Sequence, residues 1–152
     1  MRNAILLTVV CTMVLLPGIS VAGERFDGRW LTKMTCPPTG NTEGYTWQFP
    51  SAVNAGEFRG EHGTPGEPGY LRIEGKIKDD GSTKLSANGI VASKAYARGV
   101  FTGKGDDYSY NIKAQFQDMQ GTGTRDKGLG IVGRPCMFEF VKQPAKKQTT
   151  EH

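Results

Sequence analysis

The sequence predicts an all-β domain, a single antiparallel up-and-down β-barrel of about eight strands, with a two-sheet β-sandwich as the alternative. Three observations lead there. Apolar and polar residues alternate with period two along successive stretches of the 152-residue chain, the mark of strands with one buried and one wet face. Turns rich in glycine, proline and aspartate separate those stretches at the spacing of a meander. Two cysteines, Cys36 and Cys136, fall on the aromatic faces of the first and last stretches. The 21 glycines and 22% charged residues oppose a helical bundle, because glycine is costly inside helices.

The chain opens with a targeting pattern. Arg2 gives a short positive region, Ala4 to Leu16 is an apolar run, and Pro17-Gly18 breaks it. Ile19-Ser20-Val21-Ala22 then sets small residues at −3 and −1 of a cleavage site. Thirteen residues span roughly 20 Å as a helix, short of the ~30 Å hydrocarbon core. The expectation is a secretory signal peptide at 1–22, a barrel domain at 23–142 and a disordered tail at 143–152. The processed protein is expected to be periplasmic or secreted, monomeric, and without a transmembrane segment.

Strand by strand, Phe26, Trp30, Met34 and Cys36 share one face, with Asp27, Arg29 and Lys33 opposite. Tyr45, Trp47 and Phe49 alternate with Thr46 and Gln48; Leu71, Ile73, Gly75 and Ile77 follow the same rule, and Leu85, Ala87, Gly89 and Val91 do so more weakly. The clearest run is 107–116, where Tyr108, Tyr110, Ile112, Ala114 and Phe116 alternate with polar residues. Cys136, Phe138 and Phe140 close the series. Between them, Asp79-Asp80-Gly81 and Gly105-Asp106 are hairpin-turn compositions, and Pro65-Gly66-Glu67-Pro68-Gly69 is a loop that no strand crosses.

Cys11 leaves with the leader, so Cys36 and Cys136 remain as an even pair in an oxidising compartment, which predicts one disulfide. A bridge needs Cα atoms within about 7 Å. First and last strands that meet in this way close a sheet on itself and remove its edges.

Motifs for chemistry are sparse. Gly128-Leu129-Gly130-Ile131-Val132-Gly133 spells GxGxxG, but no strand–turn–helix surrounds it, and Arg134-Pro135-Cys136 leads onward into a strand. It reads as a glycine loop, and no cofactor is expected. His62 is the one histidine outside the tail; with Glu57, Glu61 and Glu67 it could be drawn as a metal site, but a solvated hairpin flank is the reading adopted, with no metal. The acidic pairs Asp79/Asp80 and Asp106/Asp107 lie on turns rather than across a cleft. The 19 Lys and Arg, of which Arg2 leaves with the leader, face 15 Asp and Glu without a basic cluster beyond Lys146-Lys147, so no nucleic-acid partner is expected.

Gly28-Arg29-Trp30 on the first strand, with Arg134 just before the last, resembles the signature of the lipocalins and the wider calycins. In that family the tryptophan closes the barrel floor and a late arginine stacks on it by cation–π contact. Arg125 is an equally available partner. Asp107-Tyr108-Ser109-Tyr110 is similar to the family's second motif. The resemblance implies an eight-stranded barrel whose open end holds a hydrophobic ligand; glycine-rich strands and the absence of a C-terminal helix depart from it. The FDGxW start (Phe26–Trp30) and the GxGxR…RPC ending (Gly121–Arg125, Arg134–Cys136) are also similar to small exported bacterial proteins to which no activity is attached.

The functional expectation is a noncatalytic binding protein. It would take a small apolar ligand in the barrel, or a partner through the Gly/Pro-rich loops at 37–44 and 60–69, with Trp47, Glu67, Tyr70, Tyr108 and Tyr110 as contact candidates. An internal ligand requires a cavity of at least ~300 Å³ not filled by Trp30, Trp47, Tyr110 and Phe138. The alternatives are an exported inhibitor of a protease- or lysozyme-type hydrolase, and a small hydrolytic enzyme using His62.

Overall fold

The structure, a computed structural model, describes residues 24–97, 103–126 and 134–145. The predicted leader, the run Gly128–Gly133 and the tail beyond residue 145 lie outside the described residues. Eight strands follow in order: β1 (Gly28–Cys36), β2 (Tyr45–Asn54), β3 (Glu57–His62), β4 (Leu71–Lys76), β5 (Ser82–Ile90), β6 (Asp107–Phe116), β7 (Gln120–Arg125) and β8 (Met137–Lys142). Each pairs antiparallel with the next, and β8 returns to β1 through Met34 opposite Phe138 and Thr32 opposite Phe140. The sheet is therefore a closed up-and-down barrel, and the sandwich alternative is set aside. Single 3-10 turns occur at Glu24–Phe26 and Lys94–Tyr96.

The alternation read from the sequence puts the predicted face inside. Phe26, Trp30, Met34, Phe58, Ile112, Phe116, Phe138 and Phe140 are all fully buried. Burying one such side chain is worth roughly 1.5–3 kcal/mol, which makes this column the main source of stability. Trp30 stands edge-on to Phe116 with centroids 5.3 Å apart, and its Nε1–H donates to the Phe26 carbonyl at 2.8 Å. Its polar atom is satisfied, so the indole can seal one end of the barrel without an orphaned donor.

Two strands are ones the alternation does not mark. In β7 the inward positions are Gly121 and Gly123, paired with Phe116 and Ala114 of β6. A Cβ at Gly121 would stand 3.1 Å from the Phe116 ring, and one at Gly123 would stand 3.1 Å from Ile112 Cγ2. The glycines thus leave room for large β6 side chains, and a strand whose inward face is glycine carries no hydrophobic signal. In β3, Phe58 is the single apolar inward residue beside Gly60 and His62. The solvated flank expected around His62 is corrected accordingly: His62 belongs to a strand, is half-buried, and faces inward.

The β2–β3 hairpin is a two-residue turn with Ala55 and Gly56 both at positive φ (50° and 77°), the geometry that matches strand twist. Asp27 holds it. Its two carboxylate oxygens accept the N–H groups of Ala55 at 2.8 Å and Gly56 at 3.0 Å.

Candidate functional site

In an up-and-down barrel, alternate connections gather at opposite ends. The β2–β3, β4–β5 and β6–β7 turns lie at the end sealed by Phe26 and Trp30. The loops at 37–44 and 63–70, together with the described residues flanking β5 and β6 (91–97 and 103–106), gather at the other end with the start of β8. Both loops read as recognition candidates therefore border one end of the barrel, its mouth.

That end carries a set of aromatic rings. Tyr45 and Trp47 point inward from the start of β2, His62 from the end of β3, and Tyr108 and Tyr110 from the start of β6; all are half-buried, in contrast to the sealed column below them. His62 stacks on Trp47 with centroids 4.1 Å apart and planes 5° from parallel. Its Nδ1 lies 3.1 Å from the Gly69 carbonyl. A carbonyl only accepts, so Nδ1 carries the proton. Tyr45 packs on Trp47 at 4.8 Å, and Tyr108 stacks on Tyr110 at 6.0 Å. The Tyr110 hydroxyl donates to Met34 Sδ at 3.5 Å, a contact from β6 to β1 across the interior that floors the mouth.

Arginines supply the charge. Arg125, inward at the end of β7, lays its guanidinium 4.1 Å above the Tyr110 ring. Arg134 is 3% exposed and sits 5.0 Å from the centroid of Tyr45. It donates to the carbonyls of Tyr96 (2.9 Å), Pro37 (3.2 Å) and Glu43, tying the 37–44 loop to the 3-10 turn at 94–96. Burial pushes the Tyr108 and Tyr110 hydroxyls well above the ordinary tyrosine range. It pushes Tyr45 up as well, against the opposing charges of Arg134 and then Arg125.

The sequence-derived candidates fall in different places. Cys36 and Cys136 form the disulfide, with Cα atoms 4.2 Å apart, at this same open end. The barrel-closing trio Gly28, Trp30 and Arg134 does not assemble. Because β8 runs antiparallel to β1, Trp30 lies opposite Lys142, while Arg134 lies beyond the Thr35–Met137 pair at the far end of the strands. The cation nearest the Trp30 ring is Lys142, its Nζ 5.9 Å from the centroid and bonded to the Arg25 carbonyl. Arg125, the other partner considered, belongs to Tyr110. Trp30 and Phe138 fill the interior, whereas Trp47 and Tyr110 line the mouth. Tyr70 donates to Glu61 Oε1 at 3.1 Å on the outside, beside an outer groove of about 600 Å³ bordered by Arg72, Glu74 and Asp107. Glu67 is exposed in the 63–70 loop.

Tyr45 and Tyr96 are not among the sequence-derived site candidates; His62 is weighed there only as a metal ligand or a catalytic residue, and Arg125 only as a partner for Trp30. For Arg125, the available signal was an arginine falling on the inward register of a strand.

The outer face carries ion pairs, among them Lys33–Glu139 at 3.0 Å and Lys113–Asp126 at 3.4 Å. Among the described residues no group of three or more His, Cys, Asp or Glu is placed to hold a metal, and no helix is long and apolar enough to cross a membrane. Fold and site together define a disulfide-closed, eight-stranded up-and-down barrel with one aromatic-sealed end and one aromatic, arginine-bearing mouth. No family model, curated protein or solved structure matches the chain.

Proposed function

We propose that this chain is an exported, noncatalytic binding protein that takes a small, planar, apolar ligand at the mouth of the barrel. The observation that carries the reading is the half-buried ring of Tyr45, Trp47, His62, Tyr108 and Tyr110 above a fully buried core. Large aromatic surface left partly in water at the end of a barrel is stabilised when an apolar group covers it. The leader pattern and the disulfide support export. Charged pairs on the outer face support a barrel bathed in water, since such groups are costly against lipid. The lipocalin resemblance agrees in topology and in the end that would be open, though not in the arginine that would stack on the floor tryptophan. The ligand sits shallower than that resemblance implies, because Trp30, Phe116, Phe138 and Phe140 occupy the depth.

Trp47 and Trp30 are the two tryptophans, so ligand entry should quench and shift only the emission that Trp47→Phe removes. Purification from the periplasm followed by mass spectrometry under native conditions should recover a bound small molecule. An aromatic probe that leaves Trp47 emission unchanged at millimolar concentration would remove the reading.

A second reading rests on the rigidity of the mouth loops. Arg134 and the Thr39–Thr42 bridge preform the 37–44 loop, and a preformed loop is suited to inserting into a hydrolase cleft as an inhibitor. Changing Thr39 and Asn41 should then abolish inhibition while leaving small-probe binding intact.

A further inference from the structure

Resting on the mouth as a ligand site, we infer that Arg125 sets the ligand's chemical class: an aromatic or otherwise apolar molecule bearing a single carboxylate. The described arginines can be compared one by one. Arg25 pairs with Asp118, Arg29 donates to the Pro144 carbonyl, Arg59 and Arg72 hold Glu61 and Glu74, and Arg134 holds three carbonyls. Arg125 differs. Its Nε is buried without a hydrogen-bond partner, and among the described residues its guanidinium has no oxygen acceptor, only the Tyr110 ring beneath it.

Among the described residues no carboxylate inside the barrel supplies a counter-charge. The inward positions of all eight strands carry no Asp or Glu; Glu57, Glu61, Glu74, Asp107 and Glu139 all fall on outward positions. A partly buried cation with no counter-charge is costly, and a group that both neutralises it and meets its fork is favoured over one that only fills space. The guanidinium fork matches a planar carboxylate bidentately. Among the described residues one such cation faces the mouth, since Arg134 is already committed to backbone carbonyls. That selects a monoanion over a phosphate dianion. Opposite, the Trp47–His62 stack offers a flat apolar wall for the rest of the molecule.

The test uses the oxidised protein and two probes of nearly one shape, 2-naphthoate and 2-naphthamide, titrated calorimetrically at pH 7. The expected result is naphthoate binding about 10- to 100-fold tighter, as a charge-assisted bidentate pair predicts. Arg125→Met should bring the two affinities within about twofold by weakening naphthoate alone. Arg125→Lys, which keeps the charge and loses the fork, should fall between. Arg125→Met is also expected to melt at the same temperature or higher, because it removes an uncompensated charge. Should the methionine variant fail to fold, the wild-type comparison and the lysine variant still decide. Equal binding of the two probes by the wild type overturns the carboxylate assignment and leaves the mouth standing. A preference that survives Arg125→Met overturns the role of Arg125. Failure of both probes to bind overturns this inference together with the reading on which it rests. Naphthalene-2-sulfonate binding as tightly as naphthoate widens the class to monoanions and defeats the carboxylate assignment.

Discussion

The imidazole of His62 lies flat against the indole of Trp47, 4.1 Å away, and its Nδ1–H ties the pair to the Gly69 carbonyl of the 63–70 loop. An aromatic pair of this kind adds about 0.5–1.5 kcal/mol beyond its buried area. If the stack is the wall on which a ligand lies, His62→Ala should weaken 2-naphthoate and 2-naphthamide alike, by roughly 3- to 10-fold. His62→Phe, which restores a flat ring, should recover most of the loss. Equal loss for both probes distinguishes the wall from the charge at Arg125, whose removal affects one probe only.

The Cys36–Cys136 bridge joins positions 100 residues apart at the mouth. In the chain-entropy account, a loop of about this length contributes about 4–5 kcal/mol by restricting the unfolded chain. A Cys36→Ser/Cys136→Ser double variant is therefore expected to lose about 3–5 kcal/mol in urea unfolding, a large part of the stability of a domain this size. Its strand content by circular dichroism should be retained under native conditions, because Met34–Phe138 and Thr32–Phe140 still close β1 on β8.

Asp27 stands on the outward face of the first stretch, yet it is bonded to a turn 28 residues away. Each carboxylate oxygen takes one N–H of the Ala55–Gly56 turn. Asp27→Ala leaves two donors of a tight hairpin to water, with an expected cost of about 1–3 kcal/mol. Asp27→Asn keeps a single acceptor and should cost roughly half as much. Amide exchange at Ala55 and Gly56 should quicken in both variants, and exchange at the disulfide end should not.

These residues also mark how far the sequence could be read. The inward faces of β1, β2, β4, β5, β6 and β8 were legible, because apolar side chains hold most of the alternate positions despite Thr32, Ser51 and Thr83 among them, and the closing disulfide followed from where two of those faces ended. β7 was not, since Gly121 and Gly123 serve the core by leaving room for Phe116 and Ile112, and periodicity registers side chains, not gaps. Arg134 was assigned to the wrong end. A short motif records that a tryptophan and an arginine are both present; only the antiparallel register of β8 on β1 decides which end of the strand each occupies. The mouth was half legible: Trp47, Tyr108 and Tyr110 carried the alternation, while His62 and Arg125 were hidden because polar residues turned inward look, in sequence, like residues turned outward.

The tyrosines of the mouth give the protein an alkaline limit. Burial raises the hydroxyls of Tyr108 and Tyr110 well above 10.0, and raises Tyr45 less freely because Arg134 and Arg125 favour its phenolate. Above pH 10 the unfolded chain gives up these protons while the folded chain keeps them, so the native state holds more protons and stability falls as pH rises. Below pH 10 both states are protonated and the contribution is fully present. Each such tyrosine steepens the loss by up to about 1.4 kcal/mol per pH unit. Urea unfolding at pH 9, 10, 11 and 12 should show a plateau followed by a decline. Tyr110→Phe should remove about one tyrosine's share of that slope, at the cost of the hydroxyl's contact with Met34 at neutral pH. Bound naphthoate should raise the whole curve and leave the onset near pH 10, because the unfolded chain's tyrosines set it. The absence of a decline between pH 10 and pH 12, or a slope that Tyr110→Phe leaves unchanged, would show that the mouth is already hydrated around these hydroxyls and offers no dry wall to a ligand.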